Sequence, residues 1–194
     1  MKRSWTILID DREKKPLSFP SVLPILNPST QRLCHVSIAT RKIRMETGDY
    51  ALQGHEDLVL VERKASLDET AVNCLKPKRR AQFRRCLTRL RDSCQHPILL
   101  LEGTPHSLRQ LRFRHTHRRS PEEARDALLH LLIEFGVELL MMPSGTIAHR
   151  RAMGEWIAAT MIARALMQET IHADHPSDAQ EDVPVEGDPN LRSG

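Results

Sequence analysis

Apolar and polar positions alternate most clearly between residues 48 and 64, where the pattern predicts two short strands around a polar turn. Gly48-Asp49-Tyr50-Ala51-Leu52 is followed by Gln53-Gly54-His55-Glu56-Asp57, and then by Leu58-Val59-Leu60-Val61-Glu62-Arg63-Lys64. A period of two puts Leu58, Leu60, Glu62 and Lys64 on one face of the second strand, and Val59, Val61 and Arg63 on the other. A Gly54-His55 loop would set Asp49 opposite Leu60, and a loop from Gly54 to Asp57 would set it opposite Glu62. Either register brings Asp49 to the face that carries Glu62 and Lys64.

The same reading extends along the chain. Trp5 to Asp10 is an apolar run ending in charge, which predicts a central strand. Lys14 to Leu33 holds Pro16, Pro20, Pro24 and Pro28 and predicts loop with at most one short turn. Val36 to Met45 alternates loosely, as a strand leading to Gly48, which lets the backbone bend before Asp49. Ser66 suits a helix N-cap, with Asp68 and Glu69 in the first turn. Lys78 to Cys94 carries the stripe Phe83, Leu87, Leu90 and Cys94 of a second helix. Pro97 to Glu102 predicts a buried strand stopped by Gly103. Residues 104–119 read as an irregular basic loop with Arg109, Arg112, Arg114, Arg118 and Arg119. Ser120-Pro121-Glu122-Glu123 is a capping box that starts a helix with core positions Leu128, Leu131, Leu132 and Phe135, ended by Gly136. Val137 to Met142 predicts a strand. A last helix is expected from Ser144 or Thr146 to about Glu169, with Met153, Trp156, Ile157, Thr160, Met161 and Met167 as a wide core face. A spare strip of that face would serve a homodimer. Strands and helices interleave, so the expected class is α/β: a central mixed sheet of about five or six strands flanked by helices.

Composition narrows this picture. The chain has 194 residues, 40% hydrophobic and 28% charged, which predicts one soluble globular domain with a sizeable core. No apolar run approaches the roughly 18 residues of a membrane span, and the stretch after the basic start Met1-Lys2-Arg3-Ser4 stops at Asp10, too soon for a secretory leader. Cys34, Cys74, Cys86 and Cys94 form no C-x-x-C pair and read as reduced thiols of a cytoplasmic protein. His115 and His117 lie among arginines, a poor place for a cation. The net charge of +4 is uneven. Residues 170–194 carry six acids against Arg192 alone, which leaves 28 basic and 19 acidic residues and a body of about +9. A basic body suits a polyanionic partner such as DNA. The tail, with Pro176, Pro184 and Pro189 and few large apolar groups, predicts disorder. No internal repeat and no G-x-x-x-x-G-K-[ST] phosphate loop is present.

The hairpin carries the candidate chemistry. Two carboxylates completed by waters are a ligand set for Mg²⁺ or Mn²⁺, and an adjacent lysine can orient a water or offset charge on a phosphate. Gly48-Asp49-Tyr50, then Val61-Glu62-Arg63-Lys64, then Ser66 and Asp68, resemble the signature of the XPF-family nuclease domain, within the PD-(D/E)XK nuclease superfamily. Ile9-Asp10-Asp11-Arg12-Glu13 resembles the end of that family's first strand.

The resemblance covers roughly residues 5 to 168 and implies a restriction-endonuclease-like central mixed sheet flanked by helices. It implies a stand-alone nuclease domain at 1–169, as in some bacterial and phage versions, followed by the acidic tail at 170–194. It implies Mg²⁺- or Mn²⁺-dependent hydrolysis of branched or single-stranded DNA in the cytoplasm of a bacterial or phage-infected cell, in repair, recombination or phage DNA processing. Asp49 and Glu62 would hold the metal with Asp10, and Lys64 would act on the water or the phosphate. Arg12 and Glu13 would border the centre. Arg63 would act at the phosphate, although an ideal pleat points it to the other face. Beside such a site, Arg79, Arg80 and Arg84 of the basic helix, and Arg118 and Arg119 of the loop, are expected on the DNA backbone. The chain departs from the family at Asp68-Glu69, where Asp-Leu is usual, and at Gln82-Phe83 and Cys86, where Arg-Phe and a Glu are usual. Two other readings stand beside this one: a non-catalytic DNA-binding or scaffold subunit of a nuclease pair, and another nuclease of the superfamily such as a junction resolvase.

Overall fold

The computed structural model describes residues 3–111, 120–143 and 145–174. Its strands are β1 (Ser4–Asp10), β2 (Val22–Asn27), β3 (Arg32–Ile43), β4 (Tyr50–Leu52), β5 (Val59–Lys64), β6 (His96–Glu102) and β7 (Glu138–Met142). Its helices are α1 (Leu67–Leu75), α2 (Pro77–Ser93), α3 (Pro105–Arg109), α4 (Pro121–Phe135) and α5 (Ile147–Asp174). The strands form one mixed sheet in the order β2-β3-β1-β4-β5-β6-β7. β1–β3, β5–β6 and β6–β7 are parallel pairs, and β2–β3, β1–β4 and β4–β5 are antiparallel.

Alternation sorts the central strands onto two faces. Trp5, Ile7, Ile9, Tyr50, Leu52, Val59, Val61, Ile98 and Leu100 pack with Met153, Ile157, Met161 and Ile162 of α5. Leu8, Ala51, Leu60, Leu99 and Leu101 pack with Phe83, Leu87 and Leu90 of α2 and with Leu128, Leu131, Leu132 and Phe135 of α4. The sheet is therefore the middle of three layers, and the expected α/β class with a helix-flanked mixed sheet is what the protein adopts.

The expected loop from Lys14 to Leu33 is corrected. It contains all of β2 and the first residues of β3. Leu23 and Ile25 are buried between exposed Val22, Pro24 and Leu26, which is a strand alternation. Pro24, which donates no hydrogen bond, is tolerated because β2 is an edge strand. β2 brings the strand count to seven, one more than the upper expectation. The loop expected from 104 onward begins instead with α3, whose N-cap Thr104 forms a reciprocal capping box with Ser107.

The last helix is capped by Thr146, whose hydroxyl accepts from the His149 amide at 3.1 Å, and it continues past Glu169 to Asp174. Its face is narrower than expected. Met153, Ile157 and Met161 are fully buried, while Trp156 and Met167 are 59% and 49% exposed. Gly154 lies where a Cβ would collide with the Ser18 carbonyl, so the chain after β1 rests directly on α5. Among the described residues no helix is long and apolar enough to cross a membrane.

Candidate active site

The hairpin follows the longer of the two expected registers. Tyr50 faces Val61 and Ala51 faces Leu60, which leaves Gly54 to Asp57 as the loop. On its other side β4 pairs with β1, Ile9 facing Tyr50. Continuing both registers by one residue sets Asp49 between Asp10 and Glu62. Backbone contacts hold it there: the Asp10 amide donates to the Asp49 carbonyl at 3.0 Å, and the Asp49 amide donates to Val61 O at 2.7 Å. Gly48 makes the approach with φ +77, and a Cβ on it would press on Val61 O at 3.3 Å. Asp10, Asp49, Glu62 and Lys64 thus share the α2 face, at the ends of β1 and β5 where the apolar runs stop.

The ladder gives way at Asp49. The Arg63 amide donates to Asp49 Oδ2 at 2.7 Å. Burial pushes the Asp49 carboxyl up to about 6, and the neighbouring Glu62 charge adds to the rise; the Arg63 amide and the Lys64 ammonium pull the other way. Lys64 donates to Glu62 Oε1. Burial alone would lower the Lys64 ammonium, but the charge and hydrogen bond of Glu62, with Cys86 and Asp49 behind them, together outweigh it and keep Lys64 above its ordinary value.

Asp10 is only 1% exposed, and Arg12 occupies both of its oxygens: the Arg12 amide donates to Oδ1 at 2.8 Å, and the guanidinium spans Oδ1 and Oδ2. Those hydrogen bonds hold the Asp10 carboxyl down at about 2. Arg12 also donates to Met45 O at 2.7 Å, tying the end of β1 to the chain after β3. Asp10 is therefore in line with the other carboxylates but turned into an internal ion pair.

Arg63 lies on the opposite face, as an ideal pleat requires. Its side chain is 6% exposed and pairs with Glu102 and with Glu13, the latter at 3.1 Å. Sequence reasoning missed Glu102, although its signal is that of Asp10, a single acid closing an apolar strand. Cys86 of α2 reaches the other side of the centre. Burial, and then the Glu62 carboxylate to which it hydrogen-bonds, push its thiol up to about 12, so it stays protonated.

The basic residues of α2 divide. Arg84 forms a two-pronged ion pair with Glu134 of α4 and stands over the Phe135 ring at 5.1 Å, so its guanidinium is engaged by the protein's own groups at the surface. Arg80 is half-buried and close enough to Glu134 to lower that carboxyl. Arg79, Arg85 and Arg89 are exposed and form no ion pair with a described acid, and Arg89 is near enough to Cys86 to act on its thiol. Arg118 and Arg119 lie outside the described residues.

Asp49 and Glu62 offer hard carboxylate oxygens whose mutual repulsion a cation would relieve, which fits Mg²⁺ or Mn²⁺. Among the described residues no group of three or more His, Cys, Asp or Glu is placed to hold an ion. Mg²⁺ commonly takes one or two carboxylates and fills the rest of its shell with water and substrate phosphate, so a pair is enough.

The profile of the ERCC4 domain matches residues 9–157. XPF from Aeropyrum pernix is similar in structure, with TM-score 0.48 and 18% identity, over 90% of this chain and 75% of that one. XPF from Aeropyrum pernix in complex with DNA is similar with TM-score 0.48 and 17% identity, over 91% of this chain and 68% of that one. Comparison with curated protein sequences gives no match.

Proposed function

The chain belongs to the ERCC4 domain family, and from that premise we propose that it is a metal-dependent DNA endonuclease acting on branched or single-stranded DNA. The observation that carries the reading is the convergence of Asp49, Glu62 and Lys64 on one sheet face, beside a helix with exposed, unpaired arginines. The residues that would hold Mg²⁺ or Mn²⁺ are Asp49 and Glu62. Asp10 would join them only on leaving Arg12. Such an ion, when bound, supplies Lewis acidity toward a phosphoryl oxygen and acidifies water.

The chain's own groups do the rest. The Arg63 amide holds one Asp49 oxygen, which leaves the other to take up an ion. Lys64, held charged by Glu62, has hydrogens to donate and no lone pair to accept a proton. It therefore acts as a donor to the attacking water or to the phosphoryl oxygen, stabilising the charge that grows in the pentavalent state, and not as the general base. Arg12 borders the centre through Asp10, while Glu13 supports it from the opposite face through Arg63. Arg79, Arg85 and Arg89, exposed along α2, would contact the phosphate backbone. Residues 1–169 are proposed as the nuclease domain.

The test is cleavage of labelled flap, fork, junction and single-stranded DNA with Mg²⁺, Mn²⁺ or EDTA. Metal-dependent cutting that drops about 100-fold or more in Asp49→Asn supports the reading; equal rates for the two proteins sink the assignment.

A further inference from the structure

Behind the carboxylates, on the α5 face of the sheet, lies a buried ionic cluster. Arg63 and Glu102 side chains are 6% and 8% exposed, and Glu13 is 14% exposed. The Arg63 guanidinium uses its whole fork. Nε and Nη2 point at Glu102 from β6, and Nη1 serves Glu13 at 3.1 Å and Lys15 O at 3.1 Å. The same residue's amide crosses to the α2 face and donates to Asp49 at 2.7 Å. Arg63 thus joins the end of β6 to the Asp49 carboxylate.

We infer that Glu102 is a positioning residue for the proposed reaction, anchoring Arg63 so that the Arg63 amide fixes Asp49 and the guanidinium fixes the Glu13-to-Lys15 segment. The inference rests on the reading of Asp49 and Glu62 as the reaction centre. Its physical basis is that a side chain clamped on one face immobilises the backbone of its own residue, and the Asp49 oxygen is held by that backbone. Two guanidinium nitrogens converge on Glu102 Oε1 out of water, which holds the side chain in place, whereas an exposed pair would leave the strand end free. Two acids share one guanidinium, so Glu13 alone still neutralises Arg63 when Glu102 is changed. The hold on β6 is then weakened without leaving an unpaired buried cation.

Glu102→Gln keeps an acceptor for Nε but removes the charge. Three measurements separate anchoring from simple destabilisation: the backbone amide resonance of Arg63, Mn²⁺ affinity by calorimetry, and single-site cleavage kinetics, all below the melting temperature of the variant. The expected result is a displaced Arg63 amide resonance, Mn²⁺ binding weakened about fivefold and kcat lowered about tenfold, with KM for DNA within about twofold because the α2 arginines are untouched. Glu102→Ala should deepen the kcat loss; if it does not fold, the Gln variant carries the test alone. A wild-type protein that binds Mn²⁺ and cuts, with a Gln variant indistinguishable from it in all three measurements, overturns the inference. A wild-type protein that neither binds Mn²⁺ nor cuts overturns the reading of the centre, and the inference with it.

Discussion

At Asp49, burial works against the negative charge that the proposed metal binding requires. Its carboxyl is pushed up to about 6, against 3.8 for the unperturbed group, by lost hydration first and by Glu62 second. The folded protein therefore holds a proton more tightly than the unfolded chain between about pH 4 and 6, and this contribution to stability is lost as pH rises through that window. Without metal, Asp49→Asn should stabilise the protein at pH 7.5 by about 1 kcal/mol, a figure reduced for the residue's partial exposure, or about 3 °C in melting temperature. The gain should vanish at pH 4; scanning calorimetry in EDTA across pH checks it. Metal binding has the opposite slope, since the ligand must be ionised, so Mn²⁺ affinity should weaken as pH falls below about 6.

Among the secondary-structure elements, the hairpin was the most legible. The period of two fixed which face each side chain takes, and only the loop length was open; the structure resolves it as Gly54 to Asp57. Local capping chemistry was equally readable at Ser66, whose hydroxyl accepts from the Glu69 amide at 3.2 Å, and at Ser120, whose capping box with Glu123 forms. β2 was not legible because four prolines mask its alternation, and an edge strand tolerates a proline that a central strand would not. Trp156 was assigned to the core because amphipathic spacing alone does not say how wide the buried stripe is; α5 meets a single sheet face, so only its narrow stripe is covered. Pairing partners were the least legible, since neither Arg84–Glu134 nor Arg63–Glu102 is separated by a helical or strand period. For Gly48, positive φ and the nearby Val61 carbonyl act together. Gly48→Ala should cost about 1–2 kcal/mol and lower Cm in urea without changing m.

Across the whole molecule, basic charge is distributed by use. Arg84 and Arg80 of α2 are engaged by Glu134 of α4, while Arg79, Arg85 and Arg89 are left exposed to solvent or ligand. The two groups should respond differently to substitution. Arg79→Gln and Arg85→Gln should each weaken DNA binding and reduce the slope of log K against log salt by about 0.7–0.9, the loss of one phosphate contact. Arg84→Gln should leave that slope near wild type and instead lower the melting temperature, since it unpairs Glu134. Fluorescence anisotropy across salt concentrations, in EDTA, distinguishes them.

β4 is three residues long, fully buried, and lies between β1 and β5. It is the seam of the sheet: the strand ladder joining the β2-β3-β1 half to the β5-β6-β7 half passes through it, and the Arg63 side chain adds bonds to Glu13 and Lys15 O across the same divide. Neither half can peel away as a sub-globular unit without breaking this seam, so opening of the nuclease-like face should be coupled to loss of the whole fold. Amide exchange should report this as protection of Ala51 and Leu52 at the level of global unfolding, above that of the longer but outlying β2. If β4 exchanged early, the sheet would instead behave as two loosely stitched sub-domains.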